Sequence, residues 1–396
     1  MPGTMRFFLN DLGMLSAVGN NPTAMLERLQ AGDRTGLKLT DKYSTHPIYV
    51  GEVNADLPEI ESQYSVYDCK NNRLLLAALT QIRDTVDSMI TQYGVNRIAV
   101  VLGTSTSGVR NTELALASVA KYKVKPEAFH YKQQQLAGGA DFLAHFLGLT
   151  GPAYAISTAC SSSGKAFASA RRLISLGLCD AVIVGGADTL CQFTVHGFDA
   201  LASVSEGLCK PFAQHRDGIN LSEGVALFVM SKEPGPVELK GIGASSDAYH
   251  FSAPDPDGGA VISAMKMALA EAEMLPEQID YLNMHGTATP LNDAMESKAV
   301  AQVFGDKTAV SSSKGMTGHA LGAAAAIELG ICWGLLSSTD EQGILIPNIN
   351  ADLLDDRLPK LNYLQQGQSL GRKINHCQSN SFAFGGNNIS IVVSRA

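Results

Sequence analysis

Two distant stretches of this 396-residue chain carry one pattern, an apolar strand running into a glycine turn. Arg97-Ile-Ala-Val-Val-Leu-Gly103-Thr-Ser-Thr106 ends in Gly-Thr-x-Thr, and so does Ile279-Asp-Tyr-Leu-Asn-Met-His285-Gly286-Thr-Ala-Thr289. A second echo follows each: Ala155-Ile-Ser-Thr-Ala-Cys160 leads into a helix of small residues, as does Ala309-Val-Ser-Ser-Ser-Lys314. Ala181-Val-Ile-Val-Gly185-Gly186 is matched in turn with Gly385-Gly386 and Ile389-Ser-Ile-Val-Val393. A chain that repeats strand, loop and helix in one order builds a duplicated α/β unit. The halves are placed at 1–235 and 236–396. They are unequal, because 52 residues separate Gly103 from Ala155 but only 23 separate Gly286 from Ala309. The excess lies near 111–149, with apolar content that points to a pocket cap or a subunit contact rather than a decorative loop.

A duplicated unit needs a large core, and 45% hydrophobic residues against 17% charged supply it. The net charge of −8 argues against a nucleic-acid surface, and an acidic partner would need a local basic patch. Met1 to Leu15 lacks the pattern of a secretory signal. Seven cysteines, odd in number and without CxxC spacing, fit reduced thiols in a cytoplasm. The most membrane-like run, Ala320 to Leu336, is broken by Glu328 and reads as a helix buried in protein, not a membrane span.

The chemistry gathers in three small-residue turns. Cys160 stands between an apolar strand and a helix over Lys165 to Leu176, in Ser157-Thr-Ala-Cys160-Ser-Ser-Ser163-Gly164. Free N–H groups at such a helix start favour a thiolate and can hold an oxyanion, so Cys160 is the candidate nucleophile. Cys179, Cys191, Cys209 and Cys332 read as core residues. His285 follows a strand at its carboxyl end, where open α/β sheets collect ligands. His319, in Lys314-Gly-Met-Thr-Gly-His319-Ala-Leu-Gly322, opens a helix whose N-terminus should keep the ring neutral and able to donate to a developing oxyanion. His46, His130, His145, His196, His215, His250 and His376 read as structural. Lys314 and the isolated Glu328 are expected to pair, since a lone charge on so apolar a helix is costly. No HxxxH or CxxC spacing supports a metal, and none is expected.

Thr158-Ala-Cys160-Ser-Ser-Ser, His285-Gly-Thr-Ala-Thr-Pro-Leu-Asn-Asp293, Lys314-Gly-Met-Thr-Gly-His319-Ala-Leu-Gly-Ala-Ala and Asn380-Ser-Phe382-Ala-Phe384-Gly-Gly-Asn-Asn resemble the motif set of β-ketoacyl-acyl carrier protein synthases of the Cys-His-His type. The resemblance runs from about Gly13 to the C-terminus. It implies the thiolase fold, a duplicated βαβαβαββ unit in a five-layered αβαβα core. It implies an acyltransferase without a cofactor of its own, whose substrates ride on the phosphopantetheine of an acyl carrier protein. Cys160 would hold the acyl group, with the N–H groups of Cys160 and Phe384 as oxyanion hole. His285 and His319 would bind the malonyl thioester oxygen through decarboxylation, with Lys314 and Glu328 in support. Phe382 and Phe384 match the family's gate, Thr106 and Phe198 its acyl pocket, and Lys70, Arg73 and Lys210 its carrier-binding patch. Ala383 and Asn387 depart from the family's usual glycine and threonine, and the alanine is expected to stiffen the gate.

Ser252-Ala-Pro-Asp-Pro-Asp-Gly258, Leu291-Asn-Asp-Ala-Met-Glu-Ser297 and Arg216-Asp-Gly-Ile-Asn220 are similar to ketosynthases of aryl polyene pigment clusters, a type II polyketide-like system. That likeness implies either a homodimer or a pair with a chain-length-factor-like subunit. A housekeeping fatty acid elongation synthase is the alternative. A non-catalytic chain-length factor should lack the nucleophile, a thiolase should carry a second cysteine in a C-terminal Cys-x-Gly turn, and a cysteine hydrolase needs a base permanently paired with its thiol.

Overall fold

A computed structural model describes residues 5–396. The start of the N-terminal half at residue 1 and the first four residues of the stretch read for a secretory signal lie outside the described residues.

Thirteen strands are present among the described residues: β1 (Phe8–Ser16), β2 (Leu37–Thr40), β3 (Ile48–Gly51), β4 (Ile98–Gly103), β5 (Ala153–Ile156), β6 (Ala181–Asp188), β7 (Gly224–Ser231), β8 (Val237–Ser246), β9 (Tyr281–Asn283), β10 (Ala309–Ser311), β11 (Asn362–Tyr363), β12 (His376–Ala383) and β13 (Asn387–Arg395). β2 and β3 form a separate hairpin, and the other strands run in the order β11-β10-β9-β12-β13-β8-β1-β7-β6-β4-β5. β1 and β8 meet only at Phe8↔Glu238 and Leu9↔Val237, so the sheet is two blocks joined by a short seam.

The duplication is visible in strand polarity. In the first block β4 lies parallel to both β5 and β6, β6 is antiparallel to β7, and β7 to β1. In the second β9 lies parallel to both β10 and β12, β12 is antiparallel to β13, and β13 to β8. β4 therefore corresponds to β9 and β5 to β10, as the sequence echoes indicate. The third echo needs correction. Topologically β6 corresponds to β12, and β13 to β7. Gly185-Gly186 lies inside β6, whereas Gly385-Gly386 makes the turn between β12 and β13, so the shared double glycine is a local coincidence.

Alternation along the strands sends side chains into separate cores, which stack as five layers. Between the blocks lie the helices Ser162–Ser175 and Ala324–Ser337, where Phe167, Ala170 and Ile174 meet Val182, Val184 and Phe228 from one side while Ile327 and Ile331 share the same core. Ile183 and Leu227 point the other way, to an outer layer of the helices Lys70–Gln81 and Gly138–Leu147. Leu282 and Val392 face the opposite outer layer, the helices Gly259–Glu271 and Pro290–Phe304. β6 is buried along its whole length, in keeping with the apolar run 181–187 that precedes Asp188 at its end.

The insertion contributes the outer-layer helix Gly138–Leu147, with Phe142 and Leu143 fully buried. Its other helix, Val109–Tyr122, leaves Leu114, Leu116, Val119 and Tyr122 exposed. The apolar run containing Glu328 is helical from Ala324, four residues later than read, because Leu321 takes φ +48° in a preceding turn. Among the described residues no helix is long and apolar enough to cross a membrane.

Gly103 at the end of β4 lets the strand touch the helix that follows Cys160; a Cβ there would lie 2.1 Å from the Ser163 amide nitrogen. Gly103→Ala is expected to lower stability by about 1–3 kcal/mol, read as an earlier thermal or urea transition.

Candidate active site

Cys160 sits in a strained turn between β5 and the central helix. Ala159 holds φ +51°, outside the ordinary range for a residue with a Cβ. The adjoining serines explain how it persists. Ser161 Oγ donates to the Thr158 carbonyl (2.8 Å), and Ser162 Oγ accepts from the Thr158 amide (2.8 Å) while donating to the Ala159 carbonyl (2.5 Å). Ser163 Oγ accepts from the Ala326 amide at 2.9 Å, fastening the nucleophile's helix to its central-layer neighbour. The sequence predicts a thiol poised to ionise at a helix start. Burial opposes that, pushing the Cys160 thiol up to about 12, although Lys314 pulls the other way.

His285 follows β9 on a turn pinned by two buried acids. The Glu296 carboxylate accepts from the His285 and Gly286 amides, both at 2.7 Å. Asp293 accepts from the amides of Phe212 (2.8 Å) and Ala288 (3.2 Å), with Arg216 Nε 3.8 Å away. Burial raises Glu296 to about 8 and Asp293 to about 6, against the pull of those amides. Sequence reasoning missed both as site residues. The available signal was a pair of acids three apart in a helix otherwise destined for the core.

His319 presents Nε2 to Cys160 Sγ at 3.0 Å. Its backbone is clamped, the amide donating to the Asn220 carbonyl (2.7 Å) and the carbonyl accepting from the Ser222 amide (3.0 Å). The rings of His285 and His319 stand edge to face, 5.5 Å between centroids. Both imidazoles are held neutral, first by burial and then by the Lys314 charge. The expected cause for His319, a helix N-terminus, is not the one found: the long helix begins only at Ala324, and His319 lies on the link after the short helix Lys314–Thr317.

Lys314, fully buried, forms an ion pair with Glu328, donates to the His285 carbonyl at 2.6 Å and lies 3.3 Å from His285 Nδ1. An ammonium can only donate, so Nδ1 accepts and the neutral His285 ring carries its proton on Nε2.

The sulfur and one nitrogen of each ring lie within 4.8 Å of one another, a spacing within reach of a metal. Metal-bound imidazoles give their second N–H to an acceptor. Here His285 Nδ1 faces an ammonium and His319 Nδ1 has no partner, so the trio does not fit a resident metal.

Cys160, His285, His319, Phe198, Phe382 and Phe384 line one cleft of about 310 Å³. Phe198 and Phe384 lie 5.7 Å apart, and Phe382 is 6.2 Å from His285. Thr106 does not line this cleft; its hydroxyl and amide are both engaged by Asp188. Ala383 adopts φ −102°, ordinary extended backbone, so the alanine is accommodated there without strain; the turn is made by Gly385 and Gly386 at φ +77° and +73°. Lys70 and Arg73 are already paired, with buried Glu223 and with Asp68, and they line a second cavity of about 820 Å³. Lys210 lies half-buried on a loop.

The description "Beta-ketoacyl synthase, N-terminal domain" matches residues 70–234, and "Beta-ketoacyl synthase, C-terminal domain" matches 237–352. A 3-oxoacyl-(acyl-carrier-protein) synthase 2 from Coxiella burnetii is 30% identical, covering 98% of each chain. The chain belongs to the beta-ketoacyl synthase family. Nodulation protein E of Rhizobium leguminosarum bv. trifolii is 29% identical over 97% of each chain. A solved ketosynthase from Xenorhabdus doucetiae, in complex with its chain length factor, is 42% identical with TM-score 0.94, covering 100% of this chain and 99% of that one. The protein is thus a ketosynthase, an acyltransferase-type enzyme of carbon-chain condensation with the thiolase-like architecture described above.

In this ketosynthase, iodoacetamide should alkylate Cys160 at a rate still rising through about pH 9, followed by peptide mass; a plateau near neutrality would show an ionised resting thiol. Lys314→Met should destabilise by about 3–5 kcal/mol, because Glu328 is left buried and unpaired. The double variant Lys314→Met/Glu328→Leu should recover most of that loss in urea unfolding while staying inactive.

Proposed function

We propose that Cys160 carries the growing acyl chain while His285 and His319 drive decarboxylation of malonyl-carrier protein. The observation that carries this reading is the contact of His319 Nε2 with Cys160 Sγ at 3.0 Å, with His285 edge-on in the same cleft. The thiol comes from the 1–235 half and both imidazoles from the 236–396 half, so two substrates can be served from opposite sides.

In the first half-reaction the Cys160 sulfur attacks the thioester of an acyl-carrier protein. The carbonyl carbon gains a bond to Cys160 and loses its bond to the carrier's sulfur, and the thiol proton leaves with the carrier thiol. The Cys160 and Phe384 amides hold the oxyanion. In the second, loss of carbon dioxide from the malonyl thioester leaves its bonding pair as an enolate, whose oxygen receives hydrogen bonds from neutral His285 and His319. The carbanion attacks the acyl carbonyl, Cys160 departs, and a 3-oxoacyl chain two carbons longer remains on the carrier. No cofactor of the enzyme's own takes part; the phosphopantetheine belongs to the carrier.

The pathway we propose is aryl polyene or related polyketide synthesis, supported by 42% identity to a ketosynthase solved with its chain length factor. Fatty acid elongation is the second reading, favoured by the 30% identity to 3-oxoacyl-(acyl-carrier-protein) synthase 2. The exposed Leu114, Leu116, Val119 and Tyr122 of the 111–149 insertion offer a subunit contact, to a second copy or to a chain-length-factor-like subunit. Thr106 keeps only an indirect part in the acyl pocket, through its hydrogen bonds to Asp188. Lys70, Arg73 and Lys210 are proposed to receive the acidic carrier, the first two as members of ion pairs rather than free cations. Seven unpaired, buried cysteines support a reducing, cytoplasmic setting.

Cys160→Ala should fold yet show no acyl adduct by intact mass, and a persisting adduct would remove Cys160 from this role. His319→Ala should slow malonyl decarboxylation by about 100-fold and Cys160 acylation by much less. Equal loss of both would contradict the division of labour.

A further inference from the structure

Asp188, the last residue of β6, is 1% exposed and accepts hydrogen bonds from four donor groups. Its Oδ1 accepts from Thr104 Oγ1 (2.7 Å), the Ser105 amide (2.9 Å), the Thr106 amide (2.7 Å) and Thr106 Oγ1 (2.8 Å), and its Oδ2 accepts from the Ser105 amide at 3.0 Å. One carboxylate thus organises the whole turn after β4. That turn follows Gly103, whose close approach to the Ser163 amide seats it against the first turn of the Cys160 helix.

The other face of Asp188 meets the second half of the molecule. A Cβ on Gly322 would stand 2.7 Å from Asp188 Oδ2 and 2.7 Å from the Ser105 amide nitrogen. Gly322 lies three residues beyond His319, in the tight turn that Leu321 enters at φ +48°. The carboxylate is therefore wedged between the turn beneath the nucleophile and the turn behind the imidazole. A buried, multiply bonded carboxylate is a costly way to fill space, and an apolar residue would do so more cheaply.

We propose that Asp188 is a positioning residue for the condensation, locking the Thr104–Thr106 turn against the Leu321–Ala323 turn and so fixing the approach of His319 to Cys160. The inference rests on the ketosynthase reading of that pair. It also accounts for Thr106, which serves the site through Asp188 instead of through an acyl chain.

The test uses the full chain with acyl- and malonyl-carrier proteins, and rates are expressed per acylatable Cys160, counted by intact mass. Asp188→Asn keeps the shape but turns one acceptor into a donor facing other donors. Its condensation kcat per site should fall about 10- to 100-fold while KM for malonyl-carrier protein stays at the wild-type value. A role in stability alone would leave kcat per acylatable site unchanged and lower only the number of sites, and that result overturns the proposal. If Asp188→Asn does not fold, Gly322→Ala addresses the same contact from the other side with the carboxylate intact. A comparable fall in kcat per site then supports the proposal, and a wild-type kcat overturns it. Wild-type protein that takes no acyl group at all would overturn the ketosynthase reading together with this inference, whereas acylated wild type beside an unaffected variant overturns the inference alone.

Discussion

The buried Lys314 ammonium is the interaction on which the site depends. It neutralises Glu328 inside an otherwise apolar helix, anchors the His285 carbonyl, and faces His285 Nδ1. Its positive charge adds to burial in keeping both imidazoles neutral and opposes burial at the Cys160 thiol. One cation thereby biases three groups toward a single protonation pattern, with neutral rings beside a thiol that can be made to ionise. The cost of burying the charge is offset only because its donors find partners. An enolate-forming reaction has use for that pattern, since neutral N–H donors stabilise developing negative charge without first protonating the carbanion.

The two halves supply this arrangement from equivalent ends of equivalent sheets. β5 leads to Cys160 as β10 leads to Lys314, and β9 leads to His285 as β4 leads to the turn that Asp188 organises. Close approaches at Gly103 and Gly322 let these ends interlock where any side chain would hold them apart. The central helices then tie the halves together, directly through Ser163 and the Ala326 amide. Duplication explains why one cleft holds both a nucleophile and an electrophilic pair: each copy contributes its own strand-end chemistry.

Much of this was legible in the chain. Periodicity and glycine turns locate β4, β5, β6, β9 and β10, the residue types in three turns single out Cys160, His285, His319 and Lys314, and an isolated charge on an apolar helix singles out Glu328. What escaped depends on contacts between residues far apart in sequence. Glu296 and Asp293 look like ordinary helix acids until the fold places them against the His285 turn, and Asp188 ends a buried strand without any motif around it. The assignment of β13 to the wrong counterpart has a local origin, because a double glycine marks either a strand interior or a hairpin turn and sequence alone does not say which. At Cys160 two effects oppose each other: a helix N-terminus offers a few partial charges in favour of the thiolate, and burial of the sulfur pushes the thiol's pKa up.

The central claim is that the thiol of one half stores an acyl group until the imidazoles of the other generate its carbanion partner. The most direct test is to weigh the intact protein after exposure to acyl-carrier protein, wait, and weigh it again after adding malonyl-carrier protein. The account predicts an acyl adduct on Cys160 that persists through the wait and disappears on addition of malonyl-carrier protein, with a 3-oxoacyl chain two carbons longer appearing on the carrier. An adduct lost to free acid before malonyl-carrier protein is added would mark the site as hydrolytic and contradict the account.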